Sequence, residues 1–258
     1  AIAIATPVGT HFKLAKKSLE AGKHIWIEKP LTSTSKRAID LINLAEANNL
    51  KLFVDHTYLY TDPVKKMKEL IEKDELGDVN YFDSVRINLG LFQHDVNVVW
   101  DLAPHDLSIM NYLIPDNRVV AVSANGIASY SDHENIAHLS IHFDNNCFAH
   151  FHVNWTSPVK IRRMIVGGSD KMLVFNDMEN FEKLKIYDCG IEIDHNSDIH
   201  EALVQYRIGD MYSPKILQIE ALSLAAKEFI DSTIEDRIPL TSGVDGLNVV
   251  KILEASEQ

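Results

Sequence analysis

Hydrophobic and polar positions divide the chain into two patterns. Up to about residue 60, short apolar runs alternate with longer stretches of helical period. Ala1 to Ala5 is a continuous apolar run ending at Thr6-Pro7, the pattern of a strand buried on both faces of a parallel sheet. From Val8 to Ala21, Phe12, Leu14, Ala15 and Leu19 fall near one face, with Lys13, Lys16 and Lys17 elsewhere. That spacing predicts a helix, and Gly22 stands where a helix stops. His24 to Lys29 reads as a second strand, Ser33 to Asn49 as a second helix, and Leu50 to Val54 as a third strand running into Asp55-His56-Thr57. Strand–helix–strand with short connections is the signature of parallel βαβ units.

Beyond residue 60 the pattern changes. Asp62-Pro63, an N-cap followed by proline, opens a helix to about Lys73. Val79 to Leu91 reads as a long strand, residues 92–97 as a loop, and Val98 to Leu113 as a helix closed by Pro115-Asp116. Six strands then follow: Val119–Ser129, Ile136–Phe143, Cys147–Trp155, Arg162–Gly167, Met172–Phe175 and Lys183–Tyr187. Their direct succession predicts mostly antiparallel hairpins. Asp188 to Ser213 reads as loop with short strands, and Pro214–Thr233 and Gly243–Ala255 as helices. The fold class is therefore α/β plus α+β: a piece of parallel sheet over residues 1–60, then residues 61–258 with a large, mostly antiparallel open sheet and flanking helices. The last helices are placed to pack back on the first unit.

Composition narrows the function classes. The 258 residues include 37 acidic and 25 basic side chains, a net charge of -12. That balance argues against nucleic acid and anionic membrane as partners. Two cysteines, Cys147 and Cys189, form neither a disulfide framework nor a metal spacing, which fits a reducing, cytoplasmic compartment. No apolar run has the length of a membrane span.

Two charged sites could carry chemistry. Glu28-Lys29-Pro30 ends the second strand, and the carboxyl edge of a parallel sheet is where ligands bind. A partly desolvated lysine there can exchange protons near neutral pH; the plainer reading is a Glu28–Lys29 ion pair. Asp101 and His105, four apart, share one helix face. A carboxylate beside an imidazole raises its pKa and fixes its tautomer, preparing a general base. Pro104 is at home only in a first turn, so Asp101 is alternatively an N-cap and His105 an ordinary first-turn histidine. His138 and His142 share one strand face, as do His150 and His152; no cysteine or carboxylate stands at ligand spacing, so a polar sheet face or subunit contact is expected and no metal.

Taken together, Ile4-Ala5-Thr6-Pro7 with His11, Ala21-Gly22-Lys23-His24, Glu28-Lys29-Pro30, Asp101 with His105, and Ile238-Pro239-Leu240 with Gly243-Val244-Asp245-Gly246 resemble the Gfo/Idh/MocA group. These are the glucose–fructose oxidoreductase and inositol dehydrogenase-like NAD(P)-dependent oxidoreductases. Trp100 to Asp106, Asn154-Trp155, Pro158, Lys160 and Arg162 are most similar to members acting on sugar nucleotides. The resemblance implies that residues 1–60 are the C-terminal part of a Rossmann domain and 61–258 a substrate-binding and oligomerisation domain. It implies NAD or NADP as cofactor, a sugar or sugar-nucleotide substrate, and a homodimer or homotetramer built through the antiparallel sheet. Lys29 would bridge nicotinamide ribose and substrate hydroxyl, and His105, helped by Asp101, would take the hydroxyl proton. Thr6, Pro7, His11, Glu28, Lys29 and His56 would line the nicotinamide half; Lys29, Arg86, Asn88, Trp100 and His105 would hold substrate. The family's GxGxxG turn does not occur here, and Ala1 to Ala5 corresponds to its fourth strand. The chain is therefore expected to be a truncated member that binds NAD weakly. The alternative is a catalytically silent binding or oligomerisation module.

Overall fold

The computed structural model describes residues 1–90, 92–115, 118–193, 204–217 and 219–257. In chain order the small unit contains β1 (Ile2–Ile4), α1 (Val8–Glu20), β2 (Ile25–Ile27), α2 (Ser35–Ala47) and β3 (Leu52–Val54). The three strands form one parallel sheet in the order β1-β2-β3. Gly22 adopts φ +69 after α1, and the Thr34 hydroxyl caps α2 by accepting from the Arg37 N–H, so both predicted helix ends have their physical cause. One expectation is corrected. β1 is not buried on both faces: among the described residues it pairs with β2 alone, and Ile2 is 39% exposed while Ile4 is buried. α1 packs against this strand, of which Ile4 is buried and Ile2 and Ala3 are exposed.

A 3-10 turn at Thr57–Tyr60 leads to α3 (Asp62–Glu72), β4 (Val79–Leu89) and α4 (Val98–Leu113). The expected strand end at residue 91 and the helix stop at residue 116 lie outside the described residues. Then come β5 (Val119–Ile127), β6 (Ile136–Phe143), β7 (Phe148–Asn154), β8 (Thr156–Gly168), β9 (Met172–Asn176), β10 (Leu184–Tyr187), β11 (Gly190–Ile193), β12 (Val204–Arg207) and β13 (Met211–Tyr212). Of the stretch expected as loop with short strands, residues 194–203 lie outside the described residues. α5 (Ala221–Ile234) starts later than its periodicity predicts, and α6 (Gly243–Ala255) starts where predicted.

The large sheet has eight strands in the order β13-β10-β9-β8-β4-β7-β6-β5. Consecutive β7 and β8 do not pair: β4 lies between them, parallel to β7 and antiparallel to β8. Hairpin reasoning misses this, because β4 arrives from the far side of a whole helix. α4 packs on one face of β4, β6 and β7, and Phe82, Phe151 and Leu107 are buried between them. α6 returns to the small sheet, packing against α2, α4 and β3. A Cβ on Gly246 would stand 2.8 Å from Val54 Cγ2 and 3.1 Å from Leu31 Cβ, so only glycine permits that approach.

Candidate functional site

The small sheet delivers Glu28 and Lys29 at the carboxyl end of β2. Lys29 reaches across to α4, where its Nζ donates to the Asp101 carbonyl oxygen at 2.7 Å and lies 3.5 Å from Asp101 Oδ1. Pro104 stands inside the same helix; lacking an N–H, it leaves the Trp100 carbonyl, one residue before the one Lys29 meets, without its helical donor. Asn97, not Asp101, is the N-cap: its Oδ1 accepts from the Val99 and Trp100 N–H groups. Asp101 Oδ2 accepts from the indole N–H of the fully buried Trp155 at 3.0 Å. The Asp101 carboxylate therefore serves Lys29 and Trp155. The expected support of His105 by Asp101 is corrected: four-residue spacing gives a shared helix face, but stronger partners arrive from two other elements.

His105 is partly exposed, while its Nδ1 is buried without a partner among the described residues. Its ring stands edge-on to Tyr58 at 5.2 Å. Burial above all, then the charges of Lys29 and Arg86, hold its pKa well below the usual histidine value, the opposite of the direction a neighbouring carboxylate would give. It is therefore an uncharged imidazole near neutral pH, and the same surroundings weaken its hold on a proton. Glu28 does not pair with the Lys29 ammonium; its Oε2 accepts from the Lys29 backbone N–H at 3.2 Å. Burial, then the charge of Asp55, raises the Glu28 pKa.

Beneath the site lies an ion pair that the sequence reading missed. Arg86 is 3% exposed, and its guanidinium meets Asp106, which also accepts from Ser84 Oγ at 2.8 Å. Arg86 was expected to hold substrate; the structure corrects this, since its charge is already neutralised inside the protein. Arg86 Nη1 and Arg162 Nη1 both donate to the Tyr58 hydroxyl, at 3.3 and 2.9 Å. Tyr58 follows Asp55 and His56 at the end of β3, so the rule that singled out Lys29 could have found it. The Arg86–Asp106 pairing joins a strand to a helix and left no local signal.

The remaining expected residues divide. Thr6, Pro7, Glu28, Lys29, Trp100 and Asp101 line one cleft of about 210 Å³. His11 does not face it: the ring is 1% exposed, with Nδ1 3.0 Å from the Pro30 carbonyl oxygen and Nε2 2.7 Å from that of Thr6. It ties together the two loops that form the rim. His56 is equally buried, and neither ring nitrogen has a partner among the described residues. Burial, then Lys29, lowers its pKa to about 3. Asn88 is half-buried on β4 beside Gly90, away from the cleft lining. Two of the larger grooves, about 600 and 580 Å³, lie between β5 and α6 and beside the C-terminal end of α4. Neither borders Lys29 or His105; the smaller cleft is bordered by Lys29 and by Glu28 with its raised pKa, and is the candidate site, while His56 and His105 are not among its lining residues. Among the described residues, no group of three or more His, Cys, Asp or Glu side chains is placed to hold a metal ion, and no helix is long and apolar enough to cross a membrane.

Comparison with known proteins bears on this site. Residues 1–56 match the model of an oxidoreductase family with an NAD-binding Rossmann fold, and residues 64–174 match that of the GFO/IDH/MocA C-terminal domain. The chain is 28% identical over 193 residues to the UDP-N-acetylglucosamine 3-dehydrogenase of Acidithiobacillus ferrooxidans, a match covering 74% of this chain and 59% of that relative. It thus spans less than two thirds of that relative's length. The solved structure of the same relative superposes with a TM-score of 0.80 at 24% identity, covering 99% of this chain and 78% of the other. Levoglucosan dehydrogenase, solved with NADH and levoglucosan, gives 0.80 at 20% identity, covering 98% and 76%. These likenesses show a common fold. With both domain models matched in order, one on each side of the Lys29 cleft, the chain belongs to the Gfo/Idh/MocA oxidoreductase family.

Proposed function

We propose that this chain carries the catalytic part of an NAD(P)-dependent dehydrogenase that moves a hydride between a nicotinamide and the hydroxyl of a sugar or sugar nucleotide. The observation carrying this reading is the meeting of Lys29 with Asp101 across a cleft, beside a neutral His105. Relatives named as dehydrogenases of UDP-N-acetylglucosamine, scyllo-inositol and levoglucosan support the substrate class.

The residues present fit the nicotinamide half of the cofactor. His56, Trp100 and His105 hold buried ring nitrogens without partners among the described residues, the kind of atoms that a carboxamide and ribose hydroxyls satisfy. Of these three, Trp100 lines the cleft, where Pro7 and Val96 add apolar surface. The 258 residues contain no GxGxxG turn for a pyrophosphate, so we expect weak NAD binding by this polypeptide, and a low-micromolar affinity by calorimetry would refute that. When bound, the nicotinamide supplies the hydride acceptor. Lys29, fixed by Asp101, orients the substrate hydroxyl, and His105 takes its proton. Trp155 keeps Asp101 aimed at Lys29. Tyr58 accepts from two guanidinium groups, which leaves its own O–H to donate towards the substrate space.

We assign the open face of the large sheet, where Tyr81 and Phe148 are more than one-third exposed, to a homodimer or homotetramer, and the protein to the cytoplasm; mass in solution tests the first and microscopy of a tagged protein the second. For the reaction, the test is absorbance at the reduced nicotinamide band with NAD or NADP and a panel of UDP-N-acetylhexosamines, inositols and hexoses. Turnover that disappears in Lys29→Ala is expected. No turnover with any pair favours a silent binding module, and an unchanged rate in Lys29→Ala removes that residue from the mechanism.

A further inference from the structure

Two arginines stand side by side beneath Tyr58, and they are satisfied very differently. Arg86 on β4 lies directly across from Arg162 on β8, so both side chains leave the same face of the sheet. Arg86 gives Nε and Nη2 to the Asp106 carboxylate and Nη1 to the Tyr58 hydroxyl. Every nitrogen of that guanidinium has a protein acceptor, and the side chain is 3% exposed.

Arg162 lacks such a set. Its Nη1 donates to Tyr58 at 2.9 Å and lies 3.7 Å from Asp177 Oδ2. Its Nε is buried without a partner, and no acceptor meets Nη2 among the described residues. Asp177 does not supply one, because Lys183 holds its Oδ1 at 2.8 Å and its carbonyl oxygen at 3.0 Å. The Arg162 side chain is partly exposed.

This open edge has a chemical complement. A guanidinium keeps its charge at any physiological pH, and an edge of two N–H donors takes both oxygens of a carboxylate or phosphate. A neutral hydroxyl would accept there without compensating the charge. Tyr58 links the edge to the reaction: its hydroxyl accepts from Arg162, and its ring stands edge-on to His105 at 5.2 Å. One tyrosine side chain therefore separates the edge from His105, a span on the scale of a single sugar unit.

Resting on the dehydrogenase reading above, we propose that Arg162 selects the substrate: Nε and Nη2 receive a carboxylate or phosphate carried by the sugar whose hydroxyl meets Lys29 and His105. Sugar acids, sugar phosphates and sugar nucleotides share that anionic group; neutral hexoses and inositols lack it.

Calorimetric titration of the whole chain with glucose, glucuronate, glucose 6-phosphate and UDP-glucose reads this preference without turnover. At least one anionic probe should bind roughly tenfold or more tighter than glucose, and the tightest shows whether the anion is a carboxylate, a monophosphate or a diphosphate. Arg162→Met should abolish the preference. Arg162→Lys should keep part of it, since the charge stays and the fork is lost. Arg163→Met, at the exposed neighbour, should leave it intact, and far-UV circular dichroism checks that each variant folds. In the nicotinamide assay, Arg162→Met should raise KM for the anionic sugar and largely keep kcat. Equal affinity for glucose and all three anionic probes, or a preference undiminished in Arg162→Met, overturns the proposal. Equal kcat/KM for neutral and anionic sugars also overturns it and leaves the dehydrogenase reading standing. Absence of turnover with every sugar removes that reading, and the titrations still decide the role of Arg162.

Discussion

Replacing Asp106 by Asn tests the charge network beneath His105 with little change in volume. Asp106 takes the Arg86 guanidinium through both carboxylate oxygens and also accepts from Ser84. Asparagine keeps one oxygen and turns an amide N–H₂ towards a guanidinium that can only donate, leaving the Arg86 charge buried and uncompensated. Breaking a buried pair in this way costs about 3–5 kcal/mol, a large part of the roughly 5–15 kcal/mol that holds a domain together. For a chain of this size, about 2–4 °C is lost per kcal/mol, so the midpoint should fall by about 6–20 °C. Urea titration followed by circular dichroism gives the free energy. Arg86→Met/Asp106→Leu removes both charges and should cost less than the sum of its single changes. A loss below about 1 kcal/mol in Asp106→Asn, or strict additivity in the cycle, would refute the account.

Other outcomes follow from the same geometry. His56 is neutral and buried, with a folded pKa of about 3 against 6.5 in the free side chain. The unfolded chain therefore binds the extra proton, so stability is complete above pH 6.5 and falls as pH drops towards 3, by about 1.4 kcal/mol per pH unit from this residue. Urea midpoints between pH 7 and 4 should show a shallower decline in His56→Gln, and an equal slope contradicts the assignment. Trp155→Phe removes the donor to Asp101 Oδ2 and should cost about 1.5–3 kcal/mol from the hydrogen bond to a charged group; a urea midpoint unchanged from the wild type would show that the indole N–H does not matter. Tyr58→Phe keeps the ring beside His105 but takes the acceptor from Arg86 and Arg162, with an expected loss of about 1–2 kcal/mol and lower turnover in the nicotinamide assay; wild-type values in both refute the role given to its hydroxyl.

The parts of the molecule governed by local rules were legible in the sequence. Gly22 and Pro63 mark helix ends because caps and turns depend on neighbours in the chain. Lys29 was legible because Pro30 ends a strand on the edge of a parallel sheet. Partner choice was not. Asp101 and His105 have ideal helical spacing, yet Asp101 is claimed by Lys29, 72 residues away, and by Trp155. The insertion of β4 between β7 and β8, and the pairing of Arg86 with Asp106, are likewise decided by which surfaces meet in three dimensions.

The return of α6 has a consequence for synthesis. The Tyr60 and Thr241 hydroxyls lie 2.9 Å apart across 181 residues of chain, and the Val54 N–H donates to the Thr241 carbonyl. On a ribosome, β1, β2 and β3 emerge well before the helix that seals them, which follows about 180 residues later. Until then Leu31 and Val54 face water, and the three-stranded sheet is a nascent surface in need of protection. Slow translation between these segments would lengthen that exposure, and a chaperone that holds short apolar strands would have its longest work here.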